Sequence, residues 1–171
     1  MRIISHSASE TKKIGIKLGR HLKAGDVVAL FGELGAGKTT LVKGIARGLG
    51  VKNEAEVASP TYVLIHEYHG RVKIYHLDWY RLNGILGIDE RLIEECFDPQ
   101  AVTLIEWADR APNILPKNRI EILLKHKGGD ARQILIKAED DFIRSLRGIA
   151  AGDDEAIPER RSPRPPLAGS R

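Results

Sequence analysis

Residues Gly32 to Thr39 carry the clearest chemical signal in the sequence, because they read GELGAGKT. This octet matches G-x-x-x-x-G-K-[ST] at every fixed position, and it follows an apolar run and precedes a helical pattern. Glycines in such a loop let main-chain N–H groups approach anionic oxygens, and the next helix directs the positive end of its dipole at them. Lys38 would neutralise the outer phosphates of a nucleotide, and the Thr39 hydroxyl would ligate Mg²⁺. The sequence therefore predicts a site for a magnesium-chelated nucleotide.

The residues expected to contact this nucleotide are those of the loop and of the first turn of the following helix. They are Glu33, Leu34, Gly35, Ala36, Gly37, Lys38, Thr39 and Thr40.

A carboxylate near the metal should complete such a site, and two apolar strand patterns end in one. VKIYHLD ends in Asp78, and AVTLIE ends in Glu106. Either side chain could hold Mg²⁺, directly or through water, or orient the attacking water. Glu106 is the stronger candidate because AVTLI is typical of a fully buried central strand. For each residue the alternative is a solvated carboxylate at a strand end.

The segment SPTY, Ser59 to Tyr62, is a third candidate for the site. Thr61 could bring a hydroxyl or a carbonyl group to the γ-phosphate, as switch loops do. The alternative is a turn that starts a strand.

Histidines and tryptophans lie close to these candidates in the sequence. His66, His69 and His76 precede Asp78, but their spacing fits no common zinc pattern, and we expect surface or strand-packing roles. A tryptophan follows each candidate carboxylate, and such a residue is usually part of the core. Trp107, beside Glu106, could also cover a bound nucleotide.

Hydrophobic periodicity predicts the elements that must position these residues. Helical patterns occur in SASETKKIGIKLGRHL, from Lys38 to about Gly50, in GIDERLIEECF, in the short DRAPNILP and in DDFIRSLRG. Strand patterns occur in DVVALF, in TYVLIHEYHGRVKIYHLD around a turn at His69-Gly70, in AVTLIEW, and in RIEILLKHKGGDARQILIKA around Gly128 to Asp130.

The order of these elements predicts an α/β protein with a mixed, partly antiparallel sheet, because hairpin strands pair antiparallel. Helices on both faces would give a three-layer sandwich similar to the P-loop NTPases. We expect one domain over residues 1–147. From 148 to 171 proline, arginine and small residues dominate without apolar periodicity, which is typical of a disordered tail.

Composition excludes several classes of protein. No apolar run approaches the roughly 20 residues of a membrane helix, no signal core is present at the start, and a single cysteine cannot form an internal disulfide. We therefore expect a cytoplasmic protein. The net charge is +4, but four arginines against one glutamate after residue 157 account for most of it. A basic face on the folded body is not expected.

Four motifs together carry a resemblance to a known family: GELGAGKTT, SPTY, YHLDWYRL and LIEWADR occur in its order and spacing. The chain resembles TsaE (YjeE), the bacterial P-loop ATPases of tRNA threonylcarbamoyladenosine synthesis, from roughly Ser5 to Lys137. The resemblance implies ATP as the nucleotide, Mg²⁺, and weak ATPase activity. It implies TsaB and TsaD as partners, which transfer the threonylcarbamoyl group to tRNA, while the TsaE subunit resets or regulates the complex between turnovers.

The resemblance also assigns residues. Lys38 and Thr39 match the phosphate and magnesium positions, Thr61 the switch-like threonine, and Asp78 the acid of D-x-Y-R. Glu106 and Trp107 match L-I-E-W, so that Glu106, Asp78, Thr61 and Lys38 are the expected catalytic residues and Thr39 and Glu106 the metal ligands. Arg81 also falls in D-x-Y-R, and its role stays open.

Alternatives to this interpretation are a small-molecule kinase, a GTPase, and a nucleotide-gated binding module with incidental turnover. A kinase usually needs a basic lid, and only about two dozen residues of mixed charge separate Asp78 from the strand ending at Glu106. A GTPase would need an N-K-x-D segment to bind guanine, and the sequence contains none. The sequence does not separate the binding module from the family interpretation.

Overall fold

The structure, a computed structural model, describes residues 1–61, 64–82 and 90–147. The strands in these ranges are β1 (Arg2–Ser5), β2 (Val27–Phe31), β3 (Ile65–His69), β4 (Lys73–Asp78), β5 (Ala101–Glu106), β6 (Ile120–His126) and β7 (Arg132–Lys137). The helices are α1 (Ala8–His21), α2 (Lys38–Gly48), α3 (Glu90–Glu95) and α4 (Asp140–Ser145), with short 3-10 turns at Glu54–Glu56 and Ala108–Arg110.

All the strands described join one mixed sheet in the order β1-β7-β6-β2-β5-β4-β3. The four central strands β6, β2, β5 and β4 are parallel, whereas the β3–β4 and β6–β7 hairpins and the β1–β7 pair are antiparallel. The predicted α/β class with a partly antiparallel sheet is confirmed. Because β2 is flanked by two parallel strands, its carboxyl end opens at the middle of one sheet edge, where ligands bind in α/β folds.

Each face of the sheet is covered by a separate apolar cluster. On one face α1 and α2 pack over side chains that include Leu30, Ile74 and Leu104. On the other face α3 and the turn at Ala108–Arg110 pack over the alternate strand positions, such as Leu77 and Ile105. Side chains alternate across a strand, so the even-numbered residues at the ends of β4 and β5 face α2.

Four glycines allow helices α1 and α2 to touch backbone to backbone. A Cβ on Gly44 would lie 2.2 Å from the carbonyl oxygen of Lys12, and one on Gly19 would lie 2.2 Å from that of Ile45. Gly15 and Gly48 complete the reciprocal contact. Both helices end beside Arg71, whose guanidinium donates to the carbonyl oxygens of Gly19 and Gly48 at 2.8 Å. This packing fixes the axis of α2, and therefore the position of the loop before it.

We expect Gly44→Ala to destabilise the fold, although alanine is the better helix former, because its methyl group would overlap the backbone of α1. Overpacking of this kind costs about 1–3 kcal/mol of unfolding free energy. Chemical denaturation measures the change, with Lys13→Ala, an exposed position on α1, as the control that should stay within about 0.5 kcal/mol. An unchanged unfolding free energy in Gly44→Ala would contradict the close packing.

Three local expectations need correction or lie outside the described residues. DRAPNILP was expected to be a short helical segment, but only Ala108–Arg110 forms a 3-10 turn, because Pro112 and Pro116 interrupt the hydrogen-bonding pattern. Strand β1 was not predicted; its four residues pair with β7 at the sheet edge. Three predicted features lie outside the described ranges: Tyr62, the start of GIDERLIEECF and the tail at 148–171. The division at 147 therefore stays a prediction.

None of the helices in the described ranges has the length and apolar character needed to span a bilayer.

Candidate functional site: a phosphate loop facing two buried carboxylates

The glycine-rich loop leaves β2 and enters α2 through two backbone conformations that favour glycine. Gly32 has φ 139°, and a Cβ there would lie 2.5 Å from the carbonyl oxygen of Leu124 on β6. Gly37 has φ 101° and is the N-cap of α2. The N–H of Leu41 makes the first α-helical bond, to the Gly37 carbonyl at 3.0 Å. The N–H groups of the preceding turn therefore have no intrahelical acceptor and are suited to bind an anion.

The ammonium group of Lys38 lies inside the loop instead of in solvent. Its Nζ donates to the carbonyl oxygens of Gly32 at 2.6 Å and Glu33 at 2.9 Å, and the residue is 4% exposed. Burial lowers the pKa of Lys38 from its ordinary value, while Glu106, Asp78 and Asp109 oppose that shift. An anionic ligand at this point would stabilise the charged form.

Glu106 lies directly beside the start of α2. Asp78 and Glu106 are register partners at the ends of the parallel strands β4 and β5, and they are 3% and 2% exposed. The hydroxyl of Thr39 donates to Oε2 of Glu106 at 2.9 Å. The predicted metal residues Thr39 and Glu106 are thus in contact, 67 positions apart in the sequence.

Asp78 is held by the loop that contains Thr61. The hydroxyls of Ser59 and Thr61 both donate to its Oδ2, the second at 2.7 Å, and the N–H of Tyr80 donates to Oδ1 at 2.8 Å. Both oxygens of Asp78 therefore accept bonds from the protein. In this structure Asp78 fixes the loop from Ser59 to Thr61 against the sheet.

His76 belongs to the site, although the sequence favoured a surface or strand-packing role for it. Its Nε2 lies 3.0 Å from Oε1 of Glu106, and it is fully buried. The hydroxyl of Tyr68 lies 3.4 Å from the other ring nitrogen, Nδ1. The signal available in the sequence was a histidine two positions before Asp78 in the same strand, and hence on the same face.

Trp107 covers the ammonium of Lys38 and turns sharply after β5. Its backbone has φ 58°, a left-handed conformation that is uncommon outside glycine and often found at functional sites. The indole ring centroid is 3.6 Å from Nζ of Lys38 and 4.9 Å from the ring of Tyr80. Trp79 takes the core position instead, fully buried on the opposite face.

An open cavity of about 400 Å³ lies at the carboxyl end of β2, between the phosphate loop and the two carboxylates. Its volume is within the range of small-molecule sites. Its walls are formed by Leu34, Gly35, Gly37, Lys38, Thr39, Thr40, Ser59, Thr61, Asp78, Tyr80, Glu106 and Trp107. Of the predicted residues, Glu33 and Ala36 do not line it: Glu33 contributes its carbonyl to Lys38, and Ala36 is buried behind the loop.

The donor set of the cavity suits a metal-chelated phosphate. Its charged lining residues, among those described, are Lys38, Asp78 and Glu106, which together are net negative. A bare polyphosphate would be repelled by the two carboxylates, and a divalent cation would reverse that repulsion. Hydroxyl and carboxylate oxygens, as on Thr39 and Glu106, are the ligands that Mg²⁺ prefers.

Comparison with known proteins gives the family. The family model "Threonylcarbamoyl adenosine biosynthesis protein TsaE" matches residues 5–134. The chain belongs to the TsaE family. The match includes the phosphate loop, both carboxylates and Trp107, and it ends within β7.

Individual TsaE proteins are similar over most of their length. The TsaE protein of Treponema pallidum is 40% identical over 136 residues, which cover 80% of this chain and 99% of that protein. The TsaE protein of Bacillus subtilis is 43% identical over 133 residues, covering 75% and 80%. Both are described as tRNA threonylcarbamoyladenosine biosynthesis proteins. Among solved structures, YdiB of Bacillus subtilis superimposes with a TM-score of 0.70 at 33% identity, covering 90% of this chain and 96% of that one.

Proposed function

We propose that this TsaE-family protein is a weak, magnesium-dependent ATPase that serves tRNA threonylcarbamoyladenosine synthesis in the cytoplasm. It acts with TsaB and TsaD, and its nucleotide cycle resets or regulates the transferase complex between turnovers. The protein does not itself transfer the threonylcarbamoyl group to tRNA. The observation that carries the proposal is the hydrogen bond between Thr39 of the phosphate loop and the buried carboxylate of Glu106.

The contacts of this pair support a role in metal binding. A hydroxyl at the first turn of α2 and a carboxylate at the end of β5 are the positions from which P-loop enzymes hold Mg²⁺ beside the outer phosphates. The metal, when bound, would neutralise phosphate charge that would otherwise be repelled by Asp78 and Glu106. Lys38 would exchange its bonds to the Gly32 and Glu33 carbonyls for bonds to phosphate oxygens.

Thr61 and Asp78 support the proposed regulation. Because Ser59 and Thr61 are tied to Asp78, the position of their loop depends on the same sheet edge that would hold the metal. A phosphate that competes for the Thr61 hydroxyl would move the loop relative to Asp78. Such a movement would report the nucleotide state to a partner protein.

Reconstitution tests the proposal directly. ATP hydrolysis and tRNA modification should be measured with the full chain, TsaB, TsaD, unmodified tRNA, ATP and the threonylcarbamoyl adenylate as group donor, with each protein omitted in turn. We expect slow hydrolysis by the chain alone, and repeated rounds of modification only when the chain, TsaB and TsaD are all present. Sustained modification without the chain, or no binding of adenine nucleotides with Mg²⁺, would contradict the proposal. Transfer of the γ-phosphate of ATP to an added metabolite, instead of its release as inorganic phosphate, would favour the kinase alternative.

A further inference from the structure

Behind Glu106 lies a buried series of contacting polar side chains, His76 and Tyr68, to which no role has been assigned so far. His76, fully buried on β4, contacts Oε1 of Glu106 with Nε2 at 3.0 Å, while Oε2 faces Thr39. The carboxylate therefore has one oxygen directed at the sheet interior and the other at the phosphate loop. A side chain with two rotatable bonds beyond Cβ would otherwise adopt several orientations.

Tyr68 on the neighbouring strand β3 contacts the imidazole of His76 on the side away from Glu106. Its hydroxyl lies 3.4 Å from Nδ1 of His76, and it donates to the carbonyl oxygen of Ala58 at 3.2 Å. The ring is also tilted against the imidazole, with centroids 6.0 Å apart. Burial raises the pKa of Tyr68, so the hydroxyl keeps its proton and remains a hydrogen-bonding group.

We infer that His76, oriented by Tyr68, is a positioning residue that holds the Glu106 carboxylate in the orientation required for Mg²⁺ beside Thr39. This inference rests on the proposed function and deepens it. The physical reason is the one that applies to groups behind metal ligands in general: the outer partner fixes the orientation of the ligand, and its removal costs about 10–100-fold in metal affinity or activity.

The same series of polar contacts links Glu106 to the loop that carries Thr61. Ala58 directly precedes Ser59, so the Tyr68 hydroxyl contacts the start of the loop held by Asp78 as well as the histidine behind Glu106. The orientation of Glu106 and the anchoring of this loop therefore share one hydroxyl group. Tyr68 is consequently expected to affect the same step as His76, and to a smaller extent because it acts one bond further away.

The test compares His76→Leu, which removes both hydrogen bonds, with His76→Gln, whose amide N–H can take the place of Nε2. ADP affinity is measured by calorimetry with and without Mg²⁺, and kcat and KM for ATP are measured in parallel. In His76→Leu we expect the gain in ADP affinity on adding Mg²⁺ to fall about tenfold or more, and kcat to fall about tenfold or more. ADP affinity measured without Mg²⁺ should change by less than about threefold, because Lys38 and the loop amides are intact. KM for Mg-ATP should rise together with the loss of the magnesium response, since KM follows the dissociation constant when chemistry is slow.

Two further variants complete the design. His76→Gln should recover most of the loss, and Tyr68→Phe should show an intermediate loss in the same two measurements. His69→Leu, at an exposed position of β3, is the matched control and should behave as wild type. Melting temperatures of all variants are compared without ligand, so that a general loss of stability is separated from a loss of metal response.

Each outcome decides a different statement. A wild-type protein that shows no magnesium-dependent nucleotide binding overturns the proposed function and this inference with it. If the wild type binds nucleotide with the expected magnesium dependence, two results overturn the inference alone. One is a wild-type magnesium response in His76→Leu, and the other is a His76→Gln variant as impaired as His76→Leu. If His76→Leu does not fold, the magnesium responses of Tyr68→Phe and His76→Gln decide. A wild-type response in Tyr68→Phe together with a response reduced about tenfold in His76→Gln contradicts the inference.

Discussion

Glu106→Ala is expected to abolish ATP hydrolysis while ADP and ATP still bind. The carboxylate is buried at the end of β5 and contacts the Thr39 hydroxyl. Under the proposed function its removal would take away an oxygen of the metal site and a group placed to orient water. Loss of such a group typically lowers kcat by about 100-fold to 10,000-fold. Binding persists because the loop amides and Lys38 do not depend on this carboxylate for their positions. Single-turnover hydrolysis and nucleotide titration measure the two quantities separately.

Two controls sharpen the Glu106 experiment. Glu106→Gln keeps the shape of the side chain and removes its charge, and it should be nearly as inactive as Glu106→Ala if charge is the decisive property. Glu95→Ala removes an exposed carboxylate on α3 and should leave hydrolysis unchanged. In reconstitution with TsaB and TsaD, Glu106→Ala should not support repeated tRNA modification. Wild-type hydrolysis together with repeated modification by Glu106→Ala would refute the assigned role.

Lys38→Ala is expected to have the larger effect on nucleotide binding itself. The Nζ of Lys38 is enclosed by the loop carbonyls and the Trp107 ring, at the place where outer phosphates would lie. A charged hydrogen bond of this kind contributes about 1.5–3 kcal/mol, which corresponds to at least a tenfold loss of affinity for ATP. Hydrolysis should fail with it. Calorimetric titration with Mg-ATP measures the change.

Thermal unfolding gives an independent measurement for Lys38→Ala. Saturating Mg-ADP should raise the melting temperature of the wild type, because a ligand that binds only the folded state stabilises it. The shift should disappear in Lys38→Ala and persist in Lys43→Ala, which removes a half-buried lysine further along α2. Equal shifts in both variants would show that Lys38 does not contact the ligand.

Much of the fold was predictable because its signals are local. The pattern SASETKKIGIKLGRHL predicted helix α1, which begins after Ser7, whose hydroxyl accepts from the N–H of Glu10 at 3.1 Å. The hairpin around Gly128 to Asp130 was evident from alternation on both sides of a glycine pair. Strand β1 gave no such signal, because its four residues are too few for periodicity and are stabilised by pairing with β7.

The histidines illustrate where local reasoning stops. His66, His69 and His76 look alike in the sequence, and the spacing argument treated them as one group. The structure separates them, since His69 is exposed at the sheet edge while His76 is buried against Glu106. Burial of a strand position depends on which strands lie beside it and on which helix covers it, and neither is encoded in the neighbouring residues.

The sequence by itself determined the phosphate loop, the two strand-end carboxylates and the class of fold. These follow from backbone geometry and side-chain periodicity, which act over a few residues. Only the tertiary structure decided that β2 lies between β5 and β6, that Asp78 is level with Glu106, and that Thr39 meets Glu106. Those contacts join residues dozens of positions apart, and they form only when whole strands pair and α2 packs on the sheet, because burial of apolar surface acts over the entire domain and not over a few neighbouring residues.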